Sequence, residues 1–158
     1  MKRTDYISWD DYFMGIALLS AKRSKDPSTQ VGACIVGKDK RIIGIGYNGF
    51  PNKCSDDKLP WAREGIPLNT KYIYVCHAEL NAIMNSNINL DDSSIYTYLY
   101  PCNECAKAII QSGIKEVIYL SDKYAELDEY KASKIMLNFA GIKQRQFKTK
   151  LKKLELRF

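Results

Sequence analysis

His77, Glu79, Cys102 and Cys105 are the residues of this 158-residue chain whose types and spacing could do chemistry. His77 is the single histidine, with Glu79 two places on in "YVCHAELNAI". Cys102 and Cys105 follow a proline in "PCNEC". Cysteines three apart share one helical face, and the positive end of a helix favours their thiolates. Two thiolates and one imidazole make three zinc ligands and leave a tetrahedral ion one open position, the mark of a catalytic site. Zinc lowers the pKa of a bound water to about 7, and Glu79 is spaced to reach that water without ligating the metal. Glu79 would then carry protons between water and substrate.

Either half of this pattern is weak evidence by itself. Together, on successive helix starts, H-x-E and P-C-x-x-C match the signature of the zinc nucleobase deaminases. A closed zinc site, with Cys54 or Cys76 as fourth ligand, is a rival reading and would give a non-catalytic interaction module. Cys76 adjoins His77, and neighbours on a helix point about 100° apart, so shared ligation is awkward. Cys34, in an apolar run, reads as a small buried hydrophobe. Five cysteines without disulfide spacing suit reduced thiols.

The elements that must position these groups follow from pattern. Residues 9 to 23 place Tyr12, Phe13, Ile16 and Ala17 near helical spacing, and "SKDPST" breaks the helix. "QVGACIVG" and "RIIGIGYN" flank the turn-like "GKDK" as a hairpin whose glycines suit close backbone approach. The segment 48 to 72 is rich in Pro, Asn, Asp and Gly and reads as a functional loop. A helix over about 76–85, the strand "SIYTYLY", a helix over about 102–112 and the strand "KEVIYL" predict parallel strands with right-handed crossovers. A helix ending at Gly141, with Ile135, Met136 and Phe139 facing inward, precedes a strand "IKQRQF". "LELRF" alternates Leu154, Leu156 and Phe158 and suggests a last short strand.

Composition, with 46% hydrophobic and 27% charged residues, suits one globular domain with a true core. No apolar run approaches the ~20 residues of a membrane helix, and the polar start "MKRTDYISWDDYF" does not read as a secretory signal, so a cytoplasmic location is expected. The net charge is +6, yet residues 143–158 hold seven Lys or Arg and one Glu, leaving 17 basic and 17 acidic residues elsewhere. Such a run is read as a solvated face, with a nucleic-acid contact as the alternative.

Beyond the zinc motif, "AKRSKDPSTQVGACIV", "GIGYNGFPNKCSDD", "TKYIYVCHAELNAIM" and "PCNECAKAIIQSGIKEVIYLSDKY" resemble the deoxycytidylate deaminase family in order and spacing. The resemblance covers nearly the whole chain. It implies an α/β fold of cytidine-deaminase type, a three-layer αβα sandwich with a mixed five-stranded sheet and an antiparallel first pair. It implies a domain over 1–148, with 149–158 a basic tail or short extra strand.

The implied reaction is hydrolysis of dCMP to dUMP and ammonia, supplying dUMP for thymidylate synthesis. His77, Cys102 and Cys105 match the family's Zn2+ ligands and Glu79 its proton shuttle, protonating N3 and then the departing amine. "KRSK" at 22–25 gathers cations and a hydroxyl suited to a 5′-phosphate. By the resemblance Arg23, Ser24 and Lys25 are phosphate contacts, Asn48 a sugar or base contact, and Tyr124 a further substrate neighbour. It also implies activation by dCTP, inhibition by dTTP and Mg2+ accompanying either effector. Gly46, Asn48, Gly49 and Asp56 match the effector region, and a homo-oligomer, a hexamer, is expected. Neither a membrane nor nucleic acid is among the expected partners. Deamination of another base, such as adenosine in RNA, stays open as the enzymatic alternative.

Overall fold

The computed structural model describes residues 1–157. The elements run α1 (Trp9–Ala21), β1 (Gly32–Val36), β2 (Ile42–Tyr47), α2 (Ala78–Met84), β3 (Ser94–Leu99), α3 (Asn103–Gln111), β4 (Glu116–Ser121), α4 (Asp128–Phe139) and β5 (Lys143–Gln146). The sheet order is β2-β1-β3-β4-β5. β1 is antiparallel to both neighbours, whereas β3, β4 and β5 run parallel. The mixed sheet with an antiparallel first pair is therefore present.

Side chains alternate across a strand, so β1, β3 and β4 each feed two cores. Ala33, Ile35, Ile95 and Val117 pack with Ala78 and Ala82 of α2, Ala106 and Ile109 of α3, and Leu137 of α4. Cys34, Val36, Tyr96 and Ile118 pack on the other face with Phe13, Met14 and Ala17 of α1. Helices cover both faces, giving the three-layer αβα sandwich. Ser8 caps α1 by accepting from the Asp11 N–H at 3.1 Å, and Asp10 and Asp11 suit the positive first turn.

The hairpin glycines set the seat of α2. A Cβ on Gly46 would stand 2.3 Å from both the Ala78 carbonyl oxygen and the Ala82 nitrogen. Only a residue without a side chain lets the helix backbone lie this close to the strand. Asn81 and Asn85 then donate from α2 to the Tyr47 and Ile45 carbonyls at 2.8 and 2.9 Å, pinning the helix along β2.

Two expectations are corrected. On α4, Ile135 and Phe139 face outward, at 56% and 91% exposure, and only Met136 of the three packs against the core. The buried stripe is Tyr130, Ser133, Met136 and Leu137. Ser133 is fully buried on that arc, and apolar content alone pointed to the wrong side of the helix. No strand forms over residues 151–157. That segment folds back on α1 instead, where Leu154 meets Gly15 and the Thr149 hydroxyl donates to Asp11. Leu154 and Leu156 stay largely exposed, and Phe158 lies outside the described residues. Arg145 of the basic stretch sits in β5 and is paired with Asp10 and Glu116, so part of the excess charge belongs to the body.

Candidate active site

Each zinc-ligand candidate stands at or just inside a helix start. His77 is the extended residue that caps α2, with Glu79 in the first turn behind it. Cys102 caps α3 in the same way, and Cys105 lies in that helix's first turn. β3 leads into Cys102 through Tyr100 and the buried Pro101, so the sheet itself delivers α3 to α2. The helices begin one or two residues later than their sequence patterns suggested.

The His77 Nδ1 lies 3.4 Å from the Cys102 sulfur and 3.5 Å from the Cys105 sulfur. All three ligand atoms fall within 4.8 Å of one another. Tetrahedral zinc with ordinary Zn–S and Zn–N lengths sets N and S about 3.6 Å apart, so the donor set fits that ion. Electrostatics agree. The Cys105 thiol and the His77 ring together pull Cys102 down to about 4. Cys102 in turn, with Glu79 nearby, raises His77 to about 8 despite desolvation. Cys105 is held well above the usual thiol range by Cys102, by burial and by Glu79. The shared environment favours the thiolate at Cys102, and a divalent cation bound here would displace the thiol protons that remain.

Glu79 is buried, at 4% exposure. Its Oε1 accepts from the Thr97 hydroxyl at 2.8 Å, and its Oε2 accepts from the Cys105 thiol at 3.4 Å. The carboxylate therefore stands beside the ligand cluster, aimed by β3. Cys76 is outside that cluster: it pairs through its backbone with Gly49, at 2.9 and 3.1 Å, before α2 begins. The backbone bridge, in place of the helical angle expected, turns it away. Cys54 is exposed on the long loop, and Cys34 is fully buried, its thiol pushed up to about 12 by desolvation.

A cavity of about 370 Å³ opens over the cluster, and Asn48 and Tyr124 line it together with His77, Glu79 and Cys102. Asn48 is buried and held on all sides. Its Oδ1 accepts from the Val31 N–H at 2.8 Å, and its Nδ2 donates to the Thr29 carbonyl at 2.9 Å and to Asp26 at 3.3 Å. Arg23, Ser24 and Lys25 are not among the lining residues. The Ser24 hydroxyl donates to the Asn48 carbonyl at 2.9 Å, Lys25 pairs with Asp56, and Arg23 is exposed. Gly46 lies under α2 and Gly49 pairs with Cys76, and neither is among the lining residues.

Several lining or supporting residues escaped sequence reasoning. Thr97 carried a signal: it is the polar member of the Ile95, Thr97, Leu99 face, which is otherwise apolar. Asp26 and Lys71 form a buried ion pair at 2.5 Å, with side chains 2% and 8% exposed. Asp26 also accepts from the Ser28 and Thr29 N–H groups. Arg63, Tyr72 and Tyr130 complete much of the wall.

Residues 7–121 match the family model for the cytidine and deoxycytidylate deaminase zinc-binding region. The chain is 58% identical to the deoxycytidylate deaminase of Homo sapiens, over 99% of this chain and 89% of that protein. It is also 58% identical to a probable deoxycytidylate deaminase of Drosophila melanogaster, over 92% of this chain and 75% of that protein. Among solved structures, the dCMP deaminase of cyanophage S-TIM5 in its apo form superposes with a TM-score of 0.68 at 25% identity. That match covers 87% of this chain and 96% of the phage chain. The same phage enzyme in complex with dCMP and dUMP gives 0.71 at 23% identity, over 90% and 100% of the two chains. With the zinc-ligand geometry and the fold already in place, these similarities show that the chain belongs to the cytidine and deoxycytidylate deaminase family of enzymes.

Proposed function

We propose that this chain converts dCMP and water to dUMP and ammonia. The observation that carries the reading is the buried Glu79 carboxylate set beside the His77, Cys102 and Cys105 cluster at the cavity that His77, Glu79 and Cys102 line. The human and fruit-fly relatives named above support the choice of nucleotide. His77, Cys102 and Cys105 would hold zinc, which when bound would supply the Lewis acidity that makes water nucleophilic near neutral pH. Glu79 accepts one proton from the water and delivers it to cytosine N3 as the oxygen adds to C4, then carries the remaining proton of that oxygen to the amine, which leaves as ammonia when the C4–N bond breaks. Thr97 keeps the carboxylate aimed throughout. Asn48 has both amide N–H groups engaged, which leaves one Oδ1 lone pair to accept from a sugar hydroxyl.

The same reading extends to the chain's role. Residues 1–148 form the catalytic domain, and the dUMP serves thymidylate synthesis in the cytoplasm. Activation by dCTP and inhibition by dTTP, each with Mg2+, act through Gly46 at the end of β2 and the loop holding Asn48, Gly49 and Asp56, in a hexamer. The support is the motif resemblance, together with that loop's position beside the cavity through Asn48. Velocity against dCMP decides it: a left-shifted sigmoid with dCTP supports regulation, and a hyperbola indifferent to dCTP removes it.

Ammonia release from dCMP, dCTP, deoxycytidine and single-stranded nucleic acid tests the activity, with Glu79→Gln as control. The variant should keep its zinc and lose at least about 10²-fold in rate. Full activity in Glu79→Gln, or no release from dCMP, would refute the reading.

A further inference from the structure

Residues 148–157, "KTKLKKLELR", interleave three leucines with five Lys or Arg and a single Glu. They form neither helix nor strand, and every one of them is exposed. The segment is nevertheless fixed to one line on α1. The Thr149 hydroxyl donates to Asp11, the Leu151 N–H donates to the Thr149 hydroxyl oxygen at 3.0 Å, and a Cβ on Gly15 would stand 3.1 Å from the Leu154 side chain. Asp11 and Gly15 are four residues apart, and Leu18, Leu19 and Lys22 continue the same helical face toward its end. The result is an apolar surface left in water. Tyr12, Leu18 and Leu19 of α1 and Leu151, Leu154 and Leu156 of the segment are each between 37% and 59% exposed. One exposed leucine is ordinary, whereas several gathered on one face mark a contact surface.

The free charge around this surface has one sign. Lys153 and Arg157 pair with Glu155 at 3.0 and 3.3 Å. Lys148, Lys150 and Lys152, with Lys22 at the end of α1, meet no carboxylate among the described residues. The acidic groups at the start of α1 are already engaged, Asp10 by Arg145 and Tyr96 and Asp11 by Ser8 and Thr149. A nucleic-acid backbone would take the lysines and leave the leucines in water. The surface of a bilayer with acidic headgroups takes both, cations among the headgroups and leucines at the acyl boundary. We infer that residues 148–157 and the outer face of α1 form a docking surface for an anionic phospholipid bilayer. The contact is peripheral, since no helix of the described residues is long and apolar enough to cross a membrane. α1 covers the sheet face opposite α2 and α3, so docking leaves the helix starts that carry His77 and Cys102 uncovered.

Co-sedimentation of the full chain with phosphatidylcholine vesicles, with and without phosphatidylserine, tests this. Binding should require phosphatidylserine and weaken as salt rises. Lys150→Gln and Lys152→Gln should each cost about 5-fold in vesicle affinity. Leu151→Gln together with Leu156→Gln, which leaves the charge unchanged, should cost about 10-fold or more. All four positions are exposed, so each variant should unfold at the wild-type temperature, which separates lost binding from lost fold. No sedimentation with phosphatidylserine vesicles would overturn the assignment. Binding that survives the leucine double variant would overturn it too, as bare charge attraction, and so would retention by single-stranded DNA without retention by vesicles.

Discussion

The Thr97 hydroxyl donates to Oε1 of Glu79 at 2.8 Å, so a strand of the central sheet holds the carboxylate that α2 carries. Both groups are buried, where a hydrogen bond to a charged partner is worth about 1.5–3 kcal/mol. Thr97→Val keeps the shape and removes the donor. Its kcat should fall about 10-fold or more, with KM and zinc content little changed. Thr97→Ser should restore most of the rate, an outcome that a purely packing role for Thr97 does not produce.

Asp26 and Lys71 join the segment after α1 to the end of the long loop. Removing one partner of a buried pair strands the other charge and costs about 3–5 kcal/mol. Lys71→Met should therefore lower the unfolding free energy by that order in a denaturant titration. Asp26→Asn with Lys71→Met should recover part of the loss, because the neutral amide still accepts from the Ser28 and Thr29 N–H groups. A double variant no better than the single would show that charge is not the cause.

Gly46→Ala places a methyl 2.3 Å from the backbone of α2, and backbone cannot yield as a side-chain tip can. Overpacking of this kind costs about 1–3 kcal/mol or more. The helix should lift from β2 and take Glu79 with it, so Tm and kcat should drop together. A variant with wild-type kcat and Tm would contradict the seating described for α2.

Arg145 grips Asp10 with two bonds, at 2.7 and 2.8 Å, and Tyr96 donates to the same carboxylate at 2.7 Å. Arg145 first, helped by Tyr96, holds the Asp10 carboxyl below its ordinary 3.8, against a smaller opposing desolvation. The folded value lies below the unfolded one, so the stabilisation is present above pH 3.8 and disappears as pH falls through the depressed value. Allowing for partial exposure, Asp10→Asn should cost about 1 kcal/mol near neutrality. That difference should shrink in unfolding curves taken below pH 4 or so. A difference independent of pH would place the effect elsewhere.

The grouping of His77, Cys102 and Cys105 was legible because its pieces are local. His77 and Glu79 are two apart, Cys102 and Cys105 three apart, and each pair opens a helix whose start is written nearby. The sheet was legible for the same reason, through alternation and turn residues. The Asp26–Lys71 pair spans 45 positions and has no local pattern, so only the folded chain reveals it. The arc of α4 that turns inward was misread because packing against α3 selects Ser133 and Leu137 over the more apolar-looking Ile135 and Phe139. The "KRSK" cations read as free, yet Asp56, distant in sequence, had already claimed Lys25.

Thr97 and Cys102 leave the sheet from one strand, five residues apart, and the Gly46 seat fixes α2 against the same sheet. The ligand cluster is thus carried by the sheet and two helix starts, whereas Asn48, Arg63, Lys71 and Tyr72 line the cavity from the segment between β2 and α2. A substitution in that insert can therefore reshape the cavity wall without moving the strand and helix starts that hold the His77, Cys102 and Cys105 cluster.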